Sequence, residues 1–317
     1  MKRREFIKKS AQALTLAAAS SAVGLYFHNR DTNIYKPVLS KQANFQVAAD
    51  PTLPKISLCR NEDPTVALNK TIDALGGIKR FVKQGEKVTI KPNVGWDRTP
   101  EQAANTNPYL VGEMVRLCFV AGAGEVVVSD VTCNDARRCF LRSGIRTEAE
   151  KNGAKVILER EEDYVEMNLN GKVLTIWPVL KHFVETDRLI NMPIIKQHSL
   201  STCTLSMKNL YGIIGGRRNR LHQQIDQSIV DLATFSRPTL TVVDGTRVLL
   251  RNGPQGGSVD DVTIENCVIA SIDQVAADAR AAEFLGHKGS DISHILLAEK
   301  SGLGSIDYLN VGYKEIS

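Results

Sequence analysis

A chain of 317 residues can bury one large core or two modest ones without disulfide staples, and 43% hydrophobic with 24% charged residues is the composition of a soluble globular protein. The formal charge of +5 comes from the first part of the chain, where KRREFIKK at residues 2–9 and then Arg30, Lys36 and Lys41 outweigh the acids. The remainder is close to neutral, so nucleic acid is excluded as an expected partner.

Residues 1–27 read as an export leader. A cationic start precedes an Ala- and Ser-rich apolar stretch from Ala11 to Phe27, too mild for a confident membrane span. Arg3-Arg4-Glu5-Phe6-Ile7-Lys8 resembles the twin-arginine signal, in which paired arginines precede an aromatic and an aliphatic residue. The expectation is an exported, periplasmic protein handled by the twin-arginine export machinery. Its leader is cut after Ala19, Ala22 or Ala49, or kept as an anchor. That route carries folded cargo, which suits a cofactor loaded beforehand, although the cofactor stays unknown. Residues 28–52 show no sustained period and predict a linker, with an α/β body over 53–317.

In the body, apolar β-branched runs alternate with helical patterns. Strands are predicted at Lys55–Arg60, Lys87–Lys91, Glu125–Ser129, Ala154–Leu158, Arg188–Ile195, Thr239–Val243, Thr263–Ser271 and Val311–Ile316. Helices are predicted at Pro64–Val82, Pro108–Ala121, Asp135–Leu141, Arg146–Asn152, Arg220–Thr234, Asp273–Leu285 and Asp291–Ala298, with another starting near Ser199 or Ser201. Asn170-Gly171 between Tyr164–Leu169 and Val173–Trp177 predicts a β-hairpin insertion with a two-residue turn. The alternation implies a largely parallel, doubly wound sheet with helices on both faces, in Rossmann-like layers.

Polar groups follow the strands: Lys91-Pro92-Asn93, Ser129-Asp130, Lys196-Gln197-His198, Asp244-Gly245-Thr246 and Ile272-Asp273. Carboxyl ends of parallel strands share one edge, where ligands bind. Asp273 before Val275 and Ala276 reads better as a helix cap. Lys196 and His198 alternate on a strand and so can face one side; a histidine beside a cation is held neutral and competent as a base. Cations, hydroxyls and glycines from Asn191 to Arg220 suit an anion. The expected anchors are Lys91, Lys208 and Arg217, with Asn93 and Asn209 orienting the ligand and Asp244 orienting a cation or hydroxyl. His222 and Asp226, four apart on a predicted helix, could meet Asp130 or Asp244 around a divalent metal, against the plainer reading of a solvated i,i+4 pair.

Six scattered cysteines contain no C-x-x-C, so no iron–sulfur cluster motif is present. Cys59, Cys118 and Cys267 lie in apolar runs, Cys133 and Cys139 are available to a disulfide, and Cys203 near His198 is a weak candidate for a nucleophile because it lacks a fixed third partner. The 253–257 loop, Gly-Pro-Gln-Gly-Gly, is expected to fold over the site.

Lys91-Pro92-Asn93, Lys196-x-His198, Ser206-x-Lys208-Asn209-Leu210-x-Gly212, His222 and Val243-Asp244-Gly245 together resemble the family called domain of unknown function 362, over about residues 53–290. Many members look like ferredoxin fusions with C-terminal cluster motifs, which this sequence does not show. The resemblance implies no activity. The residues predict an enzyme acting on a small carboxylate or phosphorylated compound, with His198 and Lys196 catalytic. The alternatives are a non-catalytic periplasmic ligand-binding or redox-accessory protein with a redox partner, and a metal-dependent hydrolase.

Overall fold

Val126, Val127 and Val128 are all buried, and a strand without a solvent face must lie inside a sheet covered on both sides. The computed structural model builds such a sheet. It describes residues 38–41 and 43–316, together with positions 4–5, 8–9, 14–15 and 20. Residues 1–37 form one unit and 38–317 another. Of the twin-arginine pattern only Arg4, Glu5 and Lys8 are among the described residues, and the cleavage positions after Ala19 and Ala22 lie outside them. Among the described residues no helix is long and apolar enough to cross a membrane.

In chain order the strands are β1 (Ala43–Asn44), β2 (Ile56–Arg60), β3 (Lys87–Pro92), β4 (Glu125–Ser129), β5 (Lys155–Ile157), β6 (Tyr164–Asn168), β7 (Ile176–Leu180), β8 (Arg188–Met192), β9 (Ile194–His198), β10 (Thr202–Thr204), β11 (Ser236–Arg237), β12 (Leu240–Leu249), β13 (Val262–Ser271) and β14 (Tyr313–Ile316). The main sheet has the order β14-β2-β13-β12-β8-β3-β4-β5, with β9 continuing past β8 along β12 and carrying β10. Neighbours from β12 through β8, β3 and β4 to β5 are parallel. β13 is antiparallel to both β12 and β2.

The sheet is covered twice. Helices α1 (Pro64–Ala74), α2 (Ile78–Phe81), α3 (Pro108–Ala121), α4 (Ala136–Arg142) and α5 (Ile145–Lys151) pack over Val88, Ile90, Val268 and Ala270. On the other face α6 (Ser206–Asn209), α7 (Ile225–Phe235), α8 (Gln274–Ala282) and α9 (Ser293–Lys300) share a core with Cys267 and Ile269. The alternation along β13 shows one strand feeding both cores, as its two-residue period requires. Local chemistry sets the helix ends. Asn107 accepts from the Tyr109 N–H, Pro108 opens α3, and Gly122 closes it at φ 104. Asp273 caps α8 through Val275 and Ala276, as its spacing predicts.

Several expectations are corrected. The chain joins the body well before residue 53: β1 pairs with β11, Ala43 and Phe45 are buried, and Leu39 bridges to Met167. The helix expected over Pro64–Val82 breaks at Gly76 and Gly77, both with positive φ. The strand expected at Arg188–Ile195 is interrupted at Pro193, which has no N–H for the ladder. Because β13 runs antiparallel, Ser271 pairs with Thr241 near the start of β12, and Asp273 therefore sits at the edge opposite the other strand ends. The hairpin exists as a separate two-stranded sheet, but Asn170-Gly171 is not its two-residue turn. Asp231 of α7 accepts from Val173 N–H at 2.7 Å and Leu174 N–H at 3.0 Å, drawing the connection into a wider loop.

Candidate functional site

Where the carboxyl ends of β3, β4 and β9 meet the 206–212 segment, a cavity of about 460 Å³ opens. Its floor is an ion pair. Lys91 Nζ donates to Asp130 Oδ1 at 2.6 Å, with both side chains buried, and also to Pro92 O at 3.0 Å and Asn209 Oδ1 at 3.2 Å. Asp130 accepts in addition from the Val94 N–H at 2.7 Å. Burial pulls the Lys91 pKa down and pushes that of Asp130 up, while their mutual attraction opposes both shifts. Gly212 is required here. A Cβ at that position would fall 1.7 Å from Asp130 Oδ1 and 2.6 Å from Lys91 Nζ.

From the floor a hydrogen-bonded amide chain reaches the wall. Asn209 Oδ1 accepts from Asn93 Nδ2 at 2.9 Å, and Asn93 Oδ1 accepts from Lys196 Nζ at 3.0 Å. Lys196 also donates to Ala104 O at 2.6 Å. Asn209 Nδ2 donates to Asn191 Oδ1 at 2.8 Å, and Asn191 Nδ2 donates to Ser206 O at 2.9 Å. Asn191 is fully buried; lying inside the apolar run NMPII, it gives no sign of this role in the sequence. Asp278 of α8 fixes the start of α6 by accepting from the Ser206 N–H and hydroxyl and the Met207 N–H.

The wall carries cations without acids. Asp130 is the only acid among the described residues lining the cavity, and it is committed to Lys91. Burial drives the Lys196 pKa down to about 7, helped by the charge of Lys208. Burial likewise lowers Lys208 to about 8, with Arg218 and Lys91 adding repulsion. Lys208 Nζ rests 3.8 Å from the centroid of the Tyr211 ring. The Thr204 hydroxyl, opposite Lys196 across the β9–β10 pair, is buried without a hydrogen-bond partner among the described residues.

His198 shares the cavity with Lys196, as their alternation on β9 requires. Its ring is turned by the tight connection to β10, in which Thr202 takes φ 67, a costly conformation for a β-branched residue. Leu200 and Ser201 donate their N–H groups to His198 Nδ1 at 3.1 and 3.3 Å. A nitrogen that accepts two N–H bonds carries no proton, so the proton resides on Nε2. Burial and then the charges of Lys208 and Lys196 press its pKa to about 3. His198 is therefore a fixed neutral donor toward the cavity, and the expected role of general base does not fit it.

This geometry, with KPN at the end of β3, K-x-H at the end of β9 and S-x-K-N on α6, coincides with the matching of residues 88–283 to the family model "Domain of unknown function (DUF362)". The chain belongs to the DUF362 family. A relative, the thylakoid-associated protein sll1697 of Synechocystis, is 26% identical over 251 residues, covering 75% of this chain and 74% of that protein. Among solved structures, the lactate racemase apoprotein of Thermoanaerobacterium thermosaccharolyticum aligns at a TM-score of 0.42 and 11% identity. The alignment covers 78% of this chain but spans only 62% of that one.

Of the residues expected in the site, this DUF362 chain brings Lys91, Asn93, Asp130, Lys196, His198, Lys208, Asn209 and His222 to one cavity. Others go elsewhere. Arg217 is exposed, and its neighbour Arg218 turns in, donating to Val131 O and Thr132 O beside the cavity. Asp244 lies within β12, not at its end; it is buried and accepts from Asn107 N–H at 2.8 Å and from the Thr246 N–H and hydroxyl. It acts one step away, fixing the loop whose Ala104 carbonyl holds Lys196. Residues 218–224 form a 3-10 segment and α7 begins only at Ile225, so His222 and Asp226 do not share a helix face. Asp226 faces His294 at 3.6 Å, Asp130 is paired, and no metal-competent cluster occurs among the described residues.

The helix expected from Ser199 or Ser201 begins only at Ser206 and lasts one turn, its place taken by β10, so the helix N-terminus expected to face the anion does not form there. All six cysteines are free. Cys203 is buried away from the cavity with its thiol pKa pushed well up by burial, whereas Cys133, anchored by its N–H to Gly95 O at 2.9 Å, lines the cavity exposed. The 253–257 loop does reach the site: Gly253 N–H donates to Gln197 Oε1 at 2.8 Å and Pro254 lines the rim.

Proposed function

We propose that this DUF362 chain is an exported enzyme acting on a small carboxylate or phosphorylated compound, held where β3, β4 and β9 end. One observation supports the reading above the rest. Lys196 and Lys208 are buried against a cavity with no carboxylate of their own, an arrangement that costs stability unless an anion completes it. The Nε2–H of His198 and the unpartnered Thr204 hydroxyl add neutral donors for the same ligand. Lys196, with its pKa brought near 7 and two of its three donor positions occupied, is the group suited to give or take a proton, and His198 supplies a hydrogen bond to a developing negative oxygen.

Calorimetric titration of the full chain with inorganic phosphate and with small mono- and dicarboxylates tests this. Saturable binding is expected, weakened at least ~10-fold in Lys196→Met, which corresponds to losing one charge-assisted hydrogen bond. If none of these anions bound the wild-type chain, the anion-site reading would be lost.

A further inference from the structure

The three lysines of the cavity differ in what their nitrogens touch. Lys91 Nζ is consumed by Asp130, Asn209 and Pro92, and Lys196 Nζ by Ala104 and Asn93. Lys208 Nζ has no hydrogen-bond acceptor among the described residues and meets only the Tyr211 ring face. The residue is nevertheless 8% exposed, and that small opening is to the cavity it lines. A charged ammonium in this position forgoes the acceptors it would have in water; a neutral amine forgoes much less. The environment therefore raises the share of the form with a free lone pair, and the fall of its pKa to about 8 agrees.

A desolvated primary amine among cations that hold an anion is poised for one particular reaction, condensation with a carbonyl group. We propose that Lys208 forms a covalent imine with the carbonyl carbon of a small carbonyl-bearing anion, of which glyoxylate and pyruvate are the simplest 2-oxo acids. The assignment rests on the anion-site reading above and narrows its substrate class. In the first step the Lys208 lone pair forms a C–N bond and the carbonyl π pair moves to oxygen, which takes up the proton released from nitrogen to give a carbinolamine. In the second, the hydroxyl accepts a proton from the Lys196 ammonium and leaves as water while the nitrogen lone pair closes the C=N bond. The product is a protonated imine, with water released and one proton consumed. No oxidant, reductant or metal is needed. The Thr204 hydroxyl and His198 Nε2–H provide donors for the oxygen, and Lys196 lies near enough for the charge of Lys208 to lower its pKa.

The full chain is incubated with glyoxylate or pyruvate and sodium cyanoborohydride, which reduces an imine to a stable secondary amine, and the modified lysine is located by peptide mass mapping. Modification is expected at Lys208 at least ~10-fold ahead of exposed Lys151 and Lys300, because far more of its amine is neutral near pH 7.5. The rate should pass through a maximum between pH about 7 and about 8, since Lys208 must be neutral and Lys196 protonated, and fall when excess phosphate is present. Lys208→Arg should abolish the adduct while calorimetry still registers binding of the oxo acid. Oxo-acid binding to the wild-type chain with no adduct at Lys208, or an adduct confined to Lys196, overturns the imine and leaves the anion site standing. Neither binding nor adduct removes both. The wild-type mapping decides the matter even if the variant does not fold.

Discussion

Lys91 and Lys208 are buried lysines of one cavity with opposite surroundings, and the contrast separates structure from function within the site. Lys91 has a carboxylate at 2.6 Å and two further acceptors, so its charge is neutralised by the fold itself. Lys208 has an aromatic face and repulsive neighbours, so its charge is left for something else to neutralise. A buried charge with a complete set of partners indicates a built scaffold; one without them indicates a site awaiting a ligand. Removing Lys91 should therefore have the largest effect on stability. Lys91→Met strands Asp130 in the interior and should destabilise the protein by about 3–5 kcal/mol in chemical denaturation, with most of the loss recovered in Lys91→Met/Asp130→Leu. Gly212→Ala should fall in the same range, because its Cβ would occupy the space of the Asp130 carboxylate. A mild cost for either variant would erase the distinction between floor and wall.

The next effect concerns the support of the wall. Asp244 accepts from three donors on the Asn107 and Thr246 side, and Asp244→Asn would turn an amide toward one of them. A loss of about 1–3 kcal/mol is expected. Because the same loop presents the Ala104 carbonyl to Lys196, anion affinity should weaken as well, although Asp244 touches no ligand. Unchanged affinity beside reduced stability would detach Asp244 from the site.

What could be read from the sequence follows the same division. Pro108–Ala121 and Glu125–Ser129 agree residue for residue with expectation, because Asn107-Pro108, Gly122 and an unbroken valine run mark their ends locally. Lys91, Asp130 and Lys196 converge because each ends a parallel strand. Strand direction, by contrast, is a tertiary property. Nothing within Val262–Ser271 says that it pairs antiparallel, so the position of Asp273 was out of reach. The Ser- and Thr-rich segment after His198 has the composition of a helix start, yet Thr202, Cys203 and Thr204 pair back on β9, and only that hairpin exposes the proton-bearing nitrogen of His198. Arg217 and Arg218 are chemically alike, and which of them turns inward depends on the carbonyls of Val131 and Thr132 in a distant loop.

Acidity gives a milder means of separating the two halves. Lys196 and Lys208, at about 7 and about 8, lie below the ordinary lysine value, so between those values and about 10.4 the unfolded chain holds protons that the folded chain has released. The contribution of these two groups is thus least favourable below pH 7 and improves as pH rises toward 9. Affinity for phosphate should move the other way over that window, as the ammoniums discharge. Denaturation and phosphate titrations at several pH values check both slopes, and Lys196→Met should flatten each of them. Parallel slopes in wild type and variant would show that Lys196 does not titrate there.

The smallest change in stability should come from the residue that matters most to the ligand. Lys208→Met removes a cation–π contact of the order of 0.5–1 kcal/mol, and also the burden of a buried charge without a carboxylate. The two nearly cancel, so the ligand-free variant should lie within ~1 kcal/mol of wild type, on the stable side if desolvation outweighs the aromatic contact. Added phosphate should then separate them: wild type gains stability with the logarithm of anion concentration, while the variant gains little. A cation held for structure behaves in the opposite way, losing stability at once and responding to anions no differently from its parent. If Lys208→Met fell as far as Lys91→Met, the contrast would be void and both lysines would belong to the scaffold.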